Sequence, residues 1–343
     1  MASEARRGLF GGRRERSLLD GVDVILADLD GVLYSGPEPI PHAVEAIRNA
    51  QEQGVRLGCL TNNASRTDRA VAEQLTGLGY SVRADDIITS PQAAVMMLRE
   101  LIEPASTVLV VGGEGLVSEL DKAGYRVTRS AEDRPAAVVQ GFAPDVAWTQ
   151  LAEAAFALAD ESVHWVATNT DWTLPQPRGV APGNGTLVSA VHTAVGRLPV
   201  VAGKPEAAMY DLAVQRFGAT SPLAVGDRLD TDILGANRAG VPSVLVLTGI
   251  DKAKQVLAAK KEERPTYVLS DLRELDEPYP TVKVSRSGDS VEVRGASVRL
   301  EGDAVRIVRR GDREIDLLRA ASTLIWTSGR PIFTLDVPEE LYS

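Results

Sequence analysis

The chain predicts an α/β protein: a parallel sheet covered by helices, an inserted α/β unit, and a small antiparallel α+β unit at its C-terminal end. Three observations predict it. Short apolar runs bounded by Gly, Pro or Asp alternate with helix-like stretches from about residue 18 to 275. That is the pattern of strands buried on both faces and joined by right-handed helical crossovers. Two of these runs, the one followed by Thr61 and the one followed by Lys204, lie much further apart than one crossover requires. After about residue 276 the apolar period changes to two, in VKVSRS, SVEVRG, ASVRLEG and AVRIVRRG, with Gly-Asp and Gly-Ala turns between them. This reads as an antiparallel meander.

The elements follow in order. VDVILAD is a strand closing on Asp28-Leu29-Asp30-Gly31, and residues 43–53 form a helix ended by Gly54. VRLGCL is the next strand and leads into Thr61-Asn62-Asn63. A helix is expected to start after Ser65, with Asp68 as its capping-box partner, and to run to Gly77. Residues 64–203 then separate this motif from Lys204, a gap of 140 residues, whereas one βαβ crossover takes roughly 30. The excess carries its own α/β signals: STVLVVGG with a helix over 115–123, AAVVQG with one over 146–159, and HWVATN with one over 186–195. LPVVAG is followed by Lys204, and Pro205 suits the first position of a helix reaching 216. PLAVG leads to Asp227 and Asp232, with a helix over 233–239 stopped by Gly240. TYVLS is the last core strand; in the tail, 317–326 reads as a helix and PIFTLDV as a final strand. The divisions are a disordered arm over 1–16, a Rossmann-like parallel-sheet core over 17–104 and 199–275, an inserted cap domain over 105–198, and a C-terminal α+β domain over 277–343.

Composition excludes several classes. With 343 residues, 44% apolar and 24% charged, the chain is long enough for two or three domains and ordinary for a soluble protein. No apolar stretch approaches the roughly 18 residues of a membrane span. The N-terminal arginines precede no apolar segment, which speaks against a secretory signal. Net charge is −10, which argues against nucleic acid as a partner and requires an anionic substrate to be attracted locally. Cys59 is the sole cysteine, so no intrachain disulfide forms, consistent with a cytoplasmic setting. His42, His164 and His192 have no metal-ligand spacing.

In an open parallel sheet, ligands sit outside the carboxyl ends of the strands, so the four polar strand ends are expected to converge on one edge of one sheet. Asp28 and Asp30 are two apart and face one side of an extended chain. Asp28, ionised beside a cation, suits nucleophilic attack on phosphorus with formation of an aspartyl-phosphate. Asp30, kept off the metal, suits protonation of the leaving oxygen and then deprotonation of water. The Thr61 hydroxyl and the loop through Asn62 and Asn63 suit a phosphate oxygen at a helix start. Lys204 supplies fixed positive charge, Asp227 a second carboxylate for Mg2+, and Asp232 orients the cluster. Each group taken alone is also an ordinary turn former or cap; four together at four strand ends point to a site.

The set Asp28, Asp30, Gly31, Thr61, Lys204, Gly226, Asp227 and Asp232 resembles the motifs of the haloacid-dehalogenase-like phosphatases: Asp-x-Asp-Gly, Thr or Ser, Lys, then Gly-Asp-x-x-x-x-Asp. The inserted unit is similar to the type-two cap of the subfamily holding p-nitrophenyl phosphatases and phosphoglycolate and pyridoxal phosphatases. The overall layout is similar to that of actinobacterial glycerol 3-phosphate phosphatases, whose C-terminal domain is shaped like an acetyltransferase fragment. The resemblance covers about residues 20–275. It implies a magnesium-dependent phosphoric monoester hydrolase, with the Asp30 backbone carbonyl as a further metal ligand. It implies a small phosphorylated metabolite as partner, glycerol 3-phosphate first and phosphoglycolate, pyridoxal phosphate or a sugar phosphate as alternatives.

Several readings stay open. Asn169 and Asp171, in a polar cap loop, either contact the non-phosphate part of the substrate or shape the loop through Asx-turns. Gly112-Gly113-Glu114-Gly115 has Ser118 where a dinucleotide fingerprint needs its third glycine, which favours tight packing in the cap. The tail lacks the Arg-x-x-Gly-x-Gly loop of acetyltransferases and reads as a dimerisation module, a tether for the cap or a residual ligand-binding unit. A phosphotransferase would use the same core. A dehalogenase needs neither the second acid nor magnesium, and a non-catalytic binding protein on this fold would be expected to lose Asp28 or Lys204.

Overall fold

The computed structural model describes residues 17–176 and 178–342; the arm expected over 1–16 lies outside them. Six parallel strands make the central sheet, in the order Tyr267–Leu269, Ser243–Val246, Pro222–Gly226, Val24–Ala27, Arg56–Thr61 and Ile87–Thr89. The order reverses on either side of Val24–Ala27. From there the chain steps outward to Arg56–Thr61 and Ile87–Thr89, then returns on the other side through Pro222–Gly226. The crevice beside this reversal is where parallel sheets place ligands. Asp28 and Asp227 leave its two flanking strands, in the register Ala27↔Val225, with the Asp28 N–H donating to the Val225 carbonyl at 2.8 Å.

The inserted unit has a parallel sheet of its own, ordered Val200–Val201, His164–Ala167, Ala137–Gln140, Thr107–Val111 and Arg126–Thr128. Its helices are Glu114–Lys122, Trp148–Leu158 and Asn184–Val195. One expectation fails here. The run that carries Lys204 does not join the central sheet; Val200–Val201 pairs with His164–Ala167 at the edge of the cap sheet. The reason is visible in its burial, since Leu198 and Val200 remain 75% and 49% exposed, as an edge strand permits and a central one does not. An antiparallel hairpin, Thr173–Gln176 with Gly179–Pro182, adds to the cap.

Helix starts also differ from expectation, three of them in the loops that carry the site residues. The helix expected after Ser65 begins at Asp68, and Thr67 is its N-cap, accepting from the Ala70 N–H at 3.2 Å. Ser65 is held in the loop instead, because Asn63 Oδ1 accepts from both its N–H (2.9 Å) and its hydroxyl (2.7 Å). The helix expected at Pro205 begins at Ala208, after a turn closed by the Glu206 N–H on the Gly203 carbonyl. Beyond Asp227 the chain first forms a π-helical turn, Leu229–Ile233, and only then the α-helix Leu234–Arg238.

The tail forms the expected meander, Val282–Val284, Ser290–Val293, Ala296–Glu301 and Ala304–Arg309, covered by helix Glu314–Thr327. PIFTLDV is not a strand. It makes a 3-10 turn over Ile332–Thr334 and one bridge, Asp336 to Ala304. Pro331 and Pro338 bound it and cannot donate to a ladder, and Phe333 stays 87% exposed. The meander shares its core with the sheet edge: Val291, Val293, Leu318 and Leu324 join one cluster with Leu245, Leu257 and Val268.

Helix Glu314–Thr327 is therefore covered on both sides, and Arg319 on it is 2% exposed. Its guanidinium donates to the Val268 carbonyl (2.6 and 2.9 Å), Asp316 (2.8 Å) and Glu274 (2.6 Å), and lies 4.6 Å from the Tyr279 ring centre. A buried charge is tolerable only when paired in this way. Arg319→Ala leaves Glu274 and Asp316 buried without it and is expected to cost about 3–5 kcal/mol in denaturant unfolding. A loss under about 1 kcal/mol, the scale of an exposed pair, would show that this network does not hold the tail to the core.

Candidate active site

The carboxyl ends of the central sheet and of the cap sheet face each other, and the site lies between them. The contact is close because the cap presents glycines to the loop after Thr61. A Cβ on Gly115 would lie 2.5 Å from the Arg66 carbonyl oxygen and 2.7 Å from that of Ala64, and one on Gly141 would lie 3.0 Å from the Ala64 side chain. The glycine run 112–115 thus serves close packing of cap on core. Apolar residues of both sheets, including Leu26, Leu60, Val110 and Val139, belong to one buried cluster.

Lys204 occupies the centre of the site and is 3% exposed. Its ammonium pairs with Asp28 Oδ1 and, at 2.7 Å, with Asp232 Oδ1. Burial alone would lower the Lys204 pKa; the Asp232 and Asp28 carboxylates outweigh it and hold the group well above its ordinary value. Asp232 is fully committed. Its other oxygen accepts from the backbone N–H groups of Asp227 and Arg228, both at 3.1 Å, and its carbonyl accepts from Tyr210 at 2.9 Å. Asp227 Oδ2 accepts from the Ile250 N–H at 2.7 Å. Gly31 (φ +83°) and Gly249 lie against that carboxylate so closely that a Cβ on either would collide with it.

Asp28, Asp227 and Asp232 each place a carboxylate oxygen within 4.8 Å of the other two. Burial pushes the Asp28 carboxyl up to about 7, against the pull of Lys204, and Asp232 adds to the rise. Burial, Asp232 and Asp28 push Asp227 up to about 8. Three crowded carboxylates against one ammonium leave net negative charge, and the donors are all oxygen, which suits a hard divalent cation. With Asp232 committed to Lys204 and to backbone, Asp28 and Asp227 are the carboxylates able to hold it. Asp30 is exposed and is not a partner of Lys204. Partial burial raises its carboxyl and Arg66 opposes the rise.

In the second motif both asparagine side chains are engaged within the protein. Thr61 is buried at the end of Arg56–Thr61, and its Oγ1 accepts from the Asn63 N–H at 3.1 Å. The Asn63 side chain is committed to Ser65, and the Asn62 carboxamide is committed to Lys204 and Asp171. Asn169 departs from the expected substrate contact. It is 4% exposed, its Nδ2 donates to the Asn62 carbonyl at 2.8 Å, and its Oδ1 accepts from the Asp171 N–H at 3.2 Å. The Asx-turn wins at this position. Asp171 keeps its carboxylate toward Asn62, at 3.3 and 3.4 Å; burial raises its pKa and Arg228 opposes the rise. Sequence reading missed the Thr248–Ile250 stretch, whose signal was another apolar run, SVLVL, ending on Thr-Gly. Thr248 donates to the Gly31 carbonyl at 2.6 Å and Ile250 to Asp227.

The family models agree with this geometry. A haloacid dehalogenase-like hydrolase model matches residues 25–126, and a HAD-hydrolase-like model matches residues 201–275. A D-glycerol 3-phosphate phosphatase of Mycobacterium tuberculosis is 40% identical over 314 residues, 91% of this chain and 88% of that protein. The chain belongs to the haloacid dehalogenase-like hydrolase family. Human chronophin is 34% identical over 284 residues, 78% of this chain and 96% of its own. A crystal structure of glycerol phosphate phosphatase from Mycobacterium tuberculosis, in complex with magnesium, superposes with a TM-score of 0.86 at 39% identity, over 94% of this chain and 95% of that one. A p-nitrophenyl phosphatase from Archaeoglobus fulgidus superposes at 0.69 and 28% identity, over 75% of this chain and 99% of its own.

The raised carboxyls of this haloacid dehalogenase-like site have a consequence for stability. An unfolded chain releases these protons near pH 3.9, whereas the folded chain keeps them until about 7 and 8. The stability they contribute is complete below about pH 4 and is lost as pH rises through the folded values. In chelator, the wild-type unfolding free energy should fall more steeply between about pH 5 and pH 8 than that of Asp227→Asn. Equal slopes for the two proteins would contradict the carboxylate crowding.

Proposed function

We propose that this chain is a magnesium-dependent phosphatase of small phosphomonoesters, acting through an aspartyl-phosphate on Asp28, with glycerol 3-phosphate as its substrate. The observation that carries the reading is the buried Lys204 ammonium between Asp28 and Asp232, beside Asp227. The relative named D-glycerol 3-phosphate phosphatase, which matches 91% of this chain, supports the substrate.

The chemistry follows from the residues. Asp28 attacks phosphorus through the oxygen that is not paired with Lys204. Asp30 gives its proton to the leaving alkoxide, then takes one from the water that attacks the aspartyl-phosphate and releases phosphate. Lys204 and the Thr61 hydroxyl meet the phosphoryl oxygens, and Asp232 fixes Lys204 from behind. Asp28, Asp227 and the Asp30 carbonyl would hold magnesium, which when bound would supply further positive charge against the phosphoryl group. Uncatalysed phosphate-monoester hydrolysis is slow enough for accelerations of up to about 10²¹-fold, and pre-placed opposite charge is what such a barrier demands.

The cap, residues 105–198 with the Val200–Val201 edge added, excludes water and chooses the substrate. We assign the substrate's hydroxyl groups to Asp171, whose carboxylate faces Asn62 beside Lys204. The partner is a small phosphorylated metabolite in a cytoplasmic setting, and the net charge of −10 speaks against nucleic acid. Among the described residues no helix is long and apolar enough to cross a membrane.

Phosphate release from glycerol 3-phosphate, phosphoglycolate, pyridoxal phosphate and p-nitrophenyl phosphate, with magnesium and with chelator, tests the reading. The expected result is a magnesium-dependent preference for glycerol 3-phosphate in kcat/KM, lost by on the order of 10³-fold or more in a folded Asp28→Asn. A preference for another ester overturns the substrate; no release from any of them moves the chain to the phosphotransferase or binding-protein class.

A further inference from the structure

Lys204 lies past the end of a two-residue edge strand, so no neighbouring strand fixes its main chain. One side chain does so instead. Asn62 Oδ1 accepts from the Lys204 N–H at 2.8 Å, and Asn62 Nδ2 donates to the Lys204 carbonyl at 3.0 Å. A single carboxamide thus reads both main-chain groups of one residue, as a paired strand would. The same Nδ2 reaches the Asp171 carboxylate of the cap at 3.3 and 3.4 Å. The Asn62 carbonyl accepts from Ser90 Oγ of the core and from Asn169 Nδ2 of the cap, both at 2.8 Å. Gly203 must remain glycine for this arrangement, since a Cβ there would lie 2.6 Å from Asn62 Oδ1.

We infer that Asn62 is a positioning residue, whose carboxamide clamps the main chain of Lys204 and ties it to Asp171, so that docking of the cap loop and seating of the ammonium are one event. The inference deepens the phosphatase reading and rests on it for its kinetic consequence. The role is specific to asparagine. Aspartate has the same shape but cannot donate to the Lys204 carbonyl, and it sets a second carboxylate against Asp171. Glutamine is a methylene too long for a bracket closed at 2.8 and 3.0 Å. A misplacement of about 1 Å in a reacting group costs on the order of 10²-fold in rate, so loosening the Lys204 main chain reaches the chemistry without any contact between Asn62 and substrate.

The test uses the whole chain, with p-nitrophenyl phosphate and magnesium for turnover and hydrogen exchange of peptides covering 203–205 and 168–171 for the clamp. Asn62→Asp should lower kcat by about tenfold or more, change KM less than kcat, and speed exchange in both segments together while the central sheet stays protected. Adding Asp171→Asn restores a donor facing the new carboxylate. The double variant should recover slow exchange at 168–171 and at least about threefold of the lost kcat, a coupling that independent sites do not show. Asn62→Ala, which removes the amide without adding charge, gives the same two readouts should Asn62→Asp not fold. The inference is overturned if kcat and both exchange rates stay within about twofold of wild type in these variants, or if Asp171→Asn rescues nothing in Asn62→Asp. Wild-type protein that releases phosphate from none of the four esters condemns the phosphatase reading alone, because the exchange readout needs no turnover.

Discussion

The Lys204 ammonium, buried against Asp28 and Asp232, is the interaction on which the rest of the site depends. A charge only 3% exposed must be paired, and its two carboxylates come from separate strand ends of the central sheet. Asp28 follows Val24–Ala27, and Asp232 lies in the π-helical turn after Pro222–Gly226. Asp232 in turn caps the Asp227 and Arg228 N–H groups, so one buried lysine orders the whole loop that presents Asp227. The pairing also explains the glycines. Gly31 and Gly249 make room for the Asp227 carboxylate, and a Cβ on Gly226 would collide with Asp232.

The lysine arrives from the cap sheet and not from the core. Val200–Val201 closes the edge of the five-stranded sheet, and the chain then enters the site through Gly203 and Lys204. The two sheets meet carboxyl end to carboxyl end, which places one general ligand crevice of each on the same cavity. The loop after Thr61 fills the cap's share of that space, admitted by Gly113, Gly115 and Gly141. Core and cap therefore share a hydrophobic cluster and a polar seam through Asn62, Asn169 and Asp171. The tail joins the opposite edge of the central sheet through Arg319 and a common apolar cluster, far along the sheet from Asp28.

Much of this was legible in the sequence, for a physical reason. Buried parallel strands are apolar throughout, so a polar group at the end of such a run stands out: Asp28, Thr61 and Asp227 each mark the end of a strand of the central sheet. The sheet to which LPVVAG belongs was not legible. An apolar run at an exposed edge has the same letters as one at the centre, and the exposure of Leu198 and Val200 in the folded chain tells them apart. PIFTLDV alternates like a strand, yet its flanking prolines leave it a single bridge. Asn62, Asn63 and Asn169 were legible as polar loop residues. Their side chains are spent on backbone partners, and for Asn62 and Asn169 these include residues more than 100 positions away, which no local pattern reveals.

Trapping of the covalent intermediate tests the central assignment most directly. Full-length protein would be mixed with glycerol 3-phosphate and magnesium, reduced with borohydride during turnover, and digested for mass spectrometry. An acyl-phosphate on Asp28 predicts substrate-dependent conversion of Asp28 to homoserine, and none in chelator. Conversion at Asp30 or Asp227, or turnover with Asp28 untouched, would contradict the account.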